Sequence, residues 1–270
     1  MRRGDKPVNI EVTEPIIVES LDLDAQGIAR LAPNINTEAE QSDSESSGKV
    51  IFIKGALPTE LVTYTITSDK ARFAKAKVRD ILKPAVFRAQ PKCAAFGVCG
   101  GCTMQHLDIR AQVAMKQRVL EDDLRHIAKV TPEEIFRPMG GPTWEYRHRA
   151  RLSAVNRSIK KGTVLIGFHE GKSGYVADMM ACEILPKHLS DLLLEMRKLV
   201  MGLSIVDRMP QIEIAVGEPE EPNSDDPKKA APVTALVFRN LQSLSKADEA
   251  LLREFADRHN VWIWLQPKGI

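Results

Sequence analysis

Aromatic residues are scarce in this chain, at 5% of 270 positions, and cysteines number only four. No run of about 18 apolar residues occurs, the minimum for a hydrocarbon-spanning helix, so neither a membrane span nor a membrane partner is expected. The opening Met1-Arg2-Arg3-Gly4-Asp5-Lys6-Pro7 lacks the apolar stretch of a secretory leader. The cytoplasm is therefore the expected compartment. Thiols stay reduced there, and grouped cysteines bind metal or do chemistry more often than they pair. A strong charge of one sign is also missing, the formal net being +2. What is present is ordinary: 43% hydrophobic and 27% charged residues, enough for two cores in a monomer of this length.

The charge is unevenly spread. From Lys49 to Gln90 nine Lys/Arg stand against three acids, a local net of +6, and from Arg137 to Lys161 seven stand against one, again +6. Two basic segments in a nearly neutral chain suggest a polyanionic partner, although a solvated, salt-bridged surface would read the same way.

Patterning separates a β-rich front from a mixed remainder. Val8 to Ser20 is rich in β-branched residues, and Asp24-Ala25-Gln26-Gly27 is turn chemistry. Strands are expected at 49–53, 60–67 and 73–82, and about five short strands in some 80 residues predict an OB-like β-barrel over 8–84. Residues 33–48 read as a polar, flexible insertion. The remainder, 85–270, reads as a mixed α/β domain of the α+β class. Helices are predicted at 108–129, 186–201 and 245–259. Strands are predicted at 146–156, 163–169, 211–216, 233–238 and 261–265, with a second insertion at 217–232. Ser245 is a candidate N-cap, with Asp248 three residues on.

The cysteines form one constellation. Cys93-x5-Cys99-Gly100-Gly101-Cys102 is a tight trio, and Cys182 follows at a distance. Gly100 and Gly101 are expected to supply backbone conformations that a Cβ forbids. Four thiolates can hold zinc or an iron–sulfur cluster. The trio-plus-one spacing favours a cluster, because structural zinc sites usually pair their cysteines in twos. A radical-type cluster is disfavoured by the five-residue first gap and the fourth cysteine. His106 and His169 are possible substitute ligands. The candidate ligands are thus Cys93, Cys99, Cys102 and Cys182, as ligands to the iron of a 4Fe-4S cluster.

Two alternating basic runs are the candidate RNA contacts. Lys75, Lys77 and Arg79 would share one face of a strand, and so would Arg147, Arg149 and Arg151, with Tyr146, His148 and Ala150 opposite; the arginine row reads as an RNA ladder or a support of the cysteine loop, or else as a ladder paired with acids of the chain itself. Phe73 is either a stacking residue or core, and His148 is read as packed.

Several of these segments together resemble the RNA uracil-C5 methyltransferase family. They are Leu21 to Arg30, Phe52 to Glu60, Phe73 to Val78, Pro91 to Cys102 with Gln105-His106, Trp144 to Ser153, and Cys182-Glu183-Ile184-Leu185. Those in the first 84 residues resemble a TRAM domain. TRAM domain and cysteine motif together resemble the branch that acts on 23S ribosomal RNA. The resemblance implies a full-length enzyme that moves a methyl group from S-adenosylmethionine to C5 of one uridine. In that chemistry a cysteine thiolate adds to C6 and activates C5. The resemblance also implies a Rossmann-like methyltransferase domain, expected to be absent from these 270 residues, so the chain alone is expected to be inactive. Exposed apolar surface is then expected on helix 108–129 and on the last strand. The alternative is a stand-alone iron–sulfur or zinc RNA-binding protein with no enzymatic activity.

Overall fold

The computed structural model describes residues 9–31, 48–171, 173–219, 223, 225 and 232–267. The insertion expected at 33–48 lies outside the described residues apart from Gly48, and so does much of 217–232. The chain divides into two compact units, Met1–Pro91 with Thr103–Met139, and Lys92–Cys102 with Gly140–Ile270.

The first unit is built on short, β-branched strands: β1 (Ile10–Ile17), β2 (Ser20–Leu21), β3 (Gln26–Arg30), β4 (Val50–Lys54), β5 (Leu61–Asp69) and β6 (Phe73–Lys83). They hydrogen-bond in the order β1-β5-β6-β4-β3-β2. The two ends of that order are consecutive in the chain, separated only by Val18 and Glu19. Val18 N–H donates to Glu60 O (2.9 Å) and Glu19 N–H to Ile28 O (2.8 Å), so one bent strand closes the sheet on itself. Ile51, Ile53, Val62, Tyr64, Ala74 and Ala76 fill the interior. Gly27 is required at its position: a Cβ there would stand 2.8 Å from Val18 Cγ1 and 2.9 Å from Ala56 O.

One buried ion pair ties the segment that leaves β6 to this barrel. Glu60 is fully buried and accepts from Leu57 N–H (2.8 Å), Ala85 N–H (3.1 Å), Arg88 Nε (2.5 Å) and Arg88 Nη2 (2.7 Å). Burial alone would raise the carboxyl pKa, but these four donors outweigh it and hold the group below the usual carboxylate range. Helix α1 (Ile109–Asp122) follows, capped by Asp108, and continues as a π-helical turn to Ala128. Its Ala111 and Met115 pack on Leu21, Leu57, Ala85 and Leu107. Ile109, Leu120 and Ile127 stay exposed.

The second unit holds β7 (Arg149–Asn156), α2 (Ser158–Lys161), β8 (Val164–Gly167), α3 (Lys187–Gly202), β9 (Gln211–Pro219), β10 (Pro232–Asn240), α4 (Lys246–His259) and β11 (Trp262–Pro267). The strand order is β11-β10-β9-β7-β8. Leu189, Leu193 and Met196 of α3 and Leu252 and Phe255 of α4 join Leu152, Ile212, Ile214, Leu236 and Phe238 in one core on one side of this sheet. Ser245 and Asp248 form a full capping box at the start of α4, and Asp248 also binds Ser204 N–H (2.7 Å) and Ser204 Oγ (2.6 Å).

Two expectations need correction here. The pairing of Pro219 with Pro232 makes 217–219 and 232 strand rather than insertion. The α+β reading, with any Rossmann-like part absent, also fails. β10 and β11 run parallel, joined by α4, which is a β-α-β crossover in a mixed sheet. Rossmann-like sheets are assembled from that connection.

Candidate cysteine centre and nucleic-acid faces

The loop from Cys93 to Cys102 is folded by its own backbone. Phe96 N–H donates to Cys93 O (3.0 Å) and Cys99 N–H to Ala95 O (2.9 Å). Two further bonds pin it to the segment after β8, Gly100 N–H to His169 O (2.8 Å) and Gly171 N–H to Val98 O (3.0 Å). The glycines work differently from the sequence expectation. The left-handed φ in this loop is at Gly97 (+88°), not at Gly100 or Gly101. Gly100 and Gly101 are there for space: a Cβ on Gly100 would lie 3.0 Å from His169 O, and one on Gly101 3.2 Å from the Phe168 ring.

Cys182 comes from the turn before α3. It is 5% exposed, and its N–H donates to Ser190 Oγ (2.9 Å). Cys99 and Cys102 pack against the same core. Burial pushes the Cys99 thiol pKa up, partly opposed by Gly101 N–H, which donates to Sγ at 3.3 Å. Burial likewise pushes Cys182 up. Charge on Cys93 and Cys102 acts on both of these thiols, so the four sulfurs share one electrostatic neighbourhood. Among the described residues, no three His, Cys, Asp or Glu side chains converge closely enough for a single metal ion.

The segment 144–147 runs beside Cys182. Glu145 N–H donates to Glu183 O (3.1 Å) and Arg147 N–H to Ile184 O (2.8 Å). Lys92 lies 5.2 Å over the Trp144 ring and pairs with Glu183 at 2.7 Å. The guanidinium of Arg147 sits 5.2 Å over Phe168, and its charge acts on Cys99. Tyr146 is half-exposed, its pKa raised first by burial and then by Cys102. His169 Nε2 is engaged with Ser153 Oγ at 2.9 Å, and His106 is buried in the other unit.

The predicted ladder of three arginines is therefore split. Arg149 and Arg151 project from β7, while Arg147 precedes the strand and belongs to the cysteine loop's surroundings. Arg151 is paired with Glu213 (2.9 Å). His148, read as packed, is exposed, and its carbonyl accepts from Val216 N–H (2.9 Å). In the first unit, Lys75, Lys77 and Arg79 do alternate outward from β6, with Ala74 and Ala76 inward. Arg79 is engaged with Glu11 (3.2 Å) and Asp80 (2.8 Å), and Lys75 lies over Phe73 (5.8 Å), which packs edge-on against Phe52. Sequence reading passed over Trp262 and Trp264 on β11, which are 51% and 59% exposed. The signal was a W-x-W alternation at a strand's period.

Similarity to known proteins now bears on this arrangement. No family model matches the chain. It is 83% identical over 270 residues to the 23S rRNA (uracil(1939)-C(5))-methyltransferase RlmD of Polynucleobacter necessarius, covering all of this chain and 56% of that protein. It is 54% identical over 266 residues to the RlmD of Burkholderia pseudomallei, covering 98% of this chain and 52% of that protein. Over nearly its whole length the chain is similar to these RNA uracil-C5 methyltransferases. It spans about half the length of the curated relatives it matches. In fold it is similar to the tRNA (uracil-54, C5)-methyltransferase of Pyrococcus abyssi, solved in complex with S-adenosyl-L-homocysteine. The TM-score is 0.56 at 14% identity, over 88% of this chain and 48% of that one. The expectation that the methyltransferase fold is absent is overturned by this likeness. Among the described residues, no helix is long and apolar enough to cross a membrane.

Proposed function

We propose that this chain contributes RNA binding and a cysteine-held iron–sulfur cluster to an S-adenosylmethionine-dependent 23S rRNA (uracil-C5)-methyltransferase acting in the cytoplasm as a monomer. The observation that carries the cluster is that Cys99, Cys102 and Cys182 pack against one core, with charge on Cys93 and Cys102 acting on both Cys99 and Cys182. A cubane takes one thiolate per iron, so its ligands stand further apart than those of one tetrahedral zinc ion. Cys93, Cys99, Cys102 and Cys182 would hold it, and ligation would displace the protons that burial keeps on Cys99 and Cys182. Cys182 is buried, while Cys93, Cys99 and Cys102 are partly exposed on their loop. A closed ligand set of four cysteines suits a structural or a sensing cluster.

The RNA reading rests on the outward cations Lys75 and Lys77 of β6 and Arg149 of β7, with Arg79 and Arg151 already in ion pairs that phosphate would have to compete with. The two halves of the reading are tested separately. Anaerobic reconstitution with iron and sulfide should yield a brown protein with about four iron and four sulfide per chain. A colourless protein that takes up one zinc ion instead would refute the cluster. Filter binding to a 23S rRNA fragment should weaken steeply with salt, in proportion to the phosphates neutralised. Salt-insensitive or absent binding would refute the RNA role.

A further inference from the structure

Among the described residues, one face of the second unit's sheet is covered by no element of the core. The β9–β10 and β7–β9 registers align its residues in rows. Arg149, Ala215, Ala235 and Trp262 form one row, and Arg151, Glu213, Val237 and Trp264 the next. A third runs through Ser153, Gln211, Arg239 and Gln266. The alternate residues, Leu152, Ile212, Ile214, Leu236 and Phe238, point the other way into the core. This face therefore carries two tryptophans at its β11 edge, Ala215, Ala235, Val237, Gln211, Glu213 and Arg239 on the middle strands, and Arg149 and Arg151 on β7. Trp262 and Trp264 are two residues apart on one strand, so their Cα atoms stand about 7 Å apart on the same face. Three strand spacings separate them from Arg149, roughly 14 Å, the reach of a few nucleotides of single strand. Along these three rows the charge is three arginines against one carboxylate, Glu213, which Arg151 engages at 2.9 Å. Arg239 Nε is buried with no hydrogen-bond partner among the described residues.

We infer that this face is a platform for single-stranded RNA, with Trp262 and Trp264 stacking on unpaired bases and Arg149 and Arg239 taking the phosphates. Exposed indole planes on a flat sheet with neighbouring cations are the arrangement by which sheet-based readers hold splayed-out bases. The identity of the base matters little to such contacts, since every base has a π-face. Duplex RNA offers no free base plane and fits the face poorly. This rests on the RNA-binding reading above, and narrows it to one surface and one form of RNA.

The test uses the whole chain and a short single-stranded oligouridylate. Titration should quench tryptophan fluorescence, because two of the three tryptophans lie on the face. Trp262→Leu and Trp264→Leu should each weaken binding on the order of tenfold, without changing the thermal transition, since both side chains are half-exposed. Arg149→Ala should lower the salt slope by about one. A self-complementary duplex should quench little. If the oligouridylate binds with undiminished affinity after both tryptophans are replaced, this inference is wrong and the RNA reading stands on the barrel. If no RNA of either form binds, the RNA reading itself is wrong. If sedimentation shows the unliganded chain pairing through its tryptophans, with quenching lost on dilution, the face is a self-association surface and the inference is overturned.

Discussion

Replacing Glu60 by alanine should unfold the first unit far more readily than an average substitution does. The carboxylate is fully buried and accepts four hydrogen bonds, two from backbone N–H groups of Leu57 and Ala85 and two from Arg88. Its removal leaves two buried N–H groups unsatisfied, at about 1–3 kcal/mol each. Arg88 is less exposed to loss, because Nη2 keeps Gly55 O at 2.7 Å and its side chain retains 21% accessibility. Breaking a buried pair by removing one partner costs about 3–5 kcal/mol in general, and the inventory here falls in that range. With stabilities of about 5–15 kcal/mol, that is a large share of the total. Glutamine should do little better than alanine, since its amide can meet one pair of donors only by turning its own NH2 against the other. The assay is urea unfolding followed by circular dichroism. With a slope of about 1–3 kcal/mol/M, the midpoint should fall by roughly 2 M. A double-mutant cycle with Arg88→Ala should show strong coupling. A Glu60→Ala loss below about 1 kcal/mol, or additive single mutants, would refute the view that this pair holds the segment after β6 to the barrel. The folded carboxyl pKa lies below the unfolded value of 4.5, so the pair stabilises fully above pH 4.5 and fades as pH falls through the folded value.

The remaining predictions concern both units. His106 has its pKa pushed down to about 4, first by burial and then by Arg88, so it folds as the neutral ring. The unfolded chain binds the extra proton between pH 6.5 and about 4; stability should therefore fall with pH across that window, by on the order of 3 kcal/mol. His106→Gln should flatten that slope in pH-dependent melts, and an unchanged slope would count against it. Asp248→Ala should destabilise the second unit by about 3 kcal/mol through loss of its bonds to Ser204 and Ser245; a loss no larger than an exposed substitution's would show that the cap contributes little. Cys182→Ser should sharply reduce reconstituted iron while leaving the apo chain's secondary structure intact, measured by iron analysis and circular dichroism. Full iron loading in that variant would remove Cys182 from the ligand set.

Much of the local architecture was legible in the residues. The alternation Phe73-Ala74-Lys75-Ala76-Lys77 dictates which side chains leave the barrel, and the Ser245–Asp248 spacing announces the start of α4. The apolar spacing of α3 identifies its buried stripe in the same way. These are short-range matters, set by side-chain period and backbone hydrogen-bonding needs within a few residues. The cysteine trio was legible for the same reason. Less legible was how the loop works. The left-handed residue is Gly97, whereas Gly100 and Gly101 are dictated by His169 and Phe168, some 70 residues away in sequence.

What the sequence by itself determined, then, is the inventory: strands with one cationic face, amphipathic helices with their caps, and four thiols with no others to spare. What only the tertiary structure decided is how distant pieces meet. The bend at Val18-Glu19 closes the barrel, Glu60 finds Arg88 across 28 residues, and Arg147 leaves the arginine ladder to sit over Phe168. Strand register brings Trp262 and Trp264 into line with Arg149 and Arg151. The physical reason is common to all of these. Periodicity and capping act through neighbours in the chain, while closure, pairing register and buried ion pairs depend on contacts whose partners no local pattern specifies.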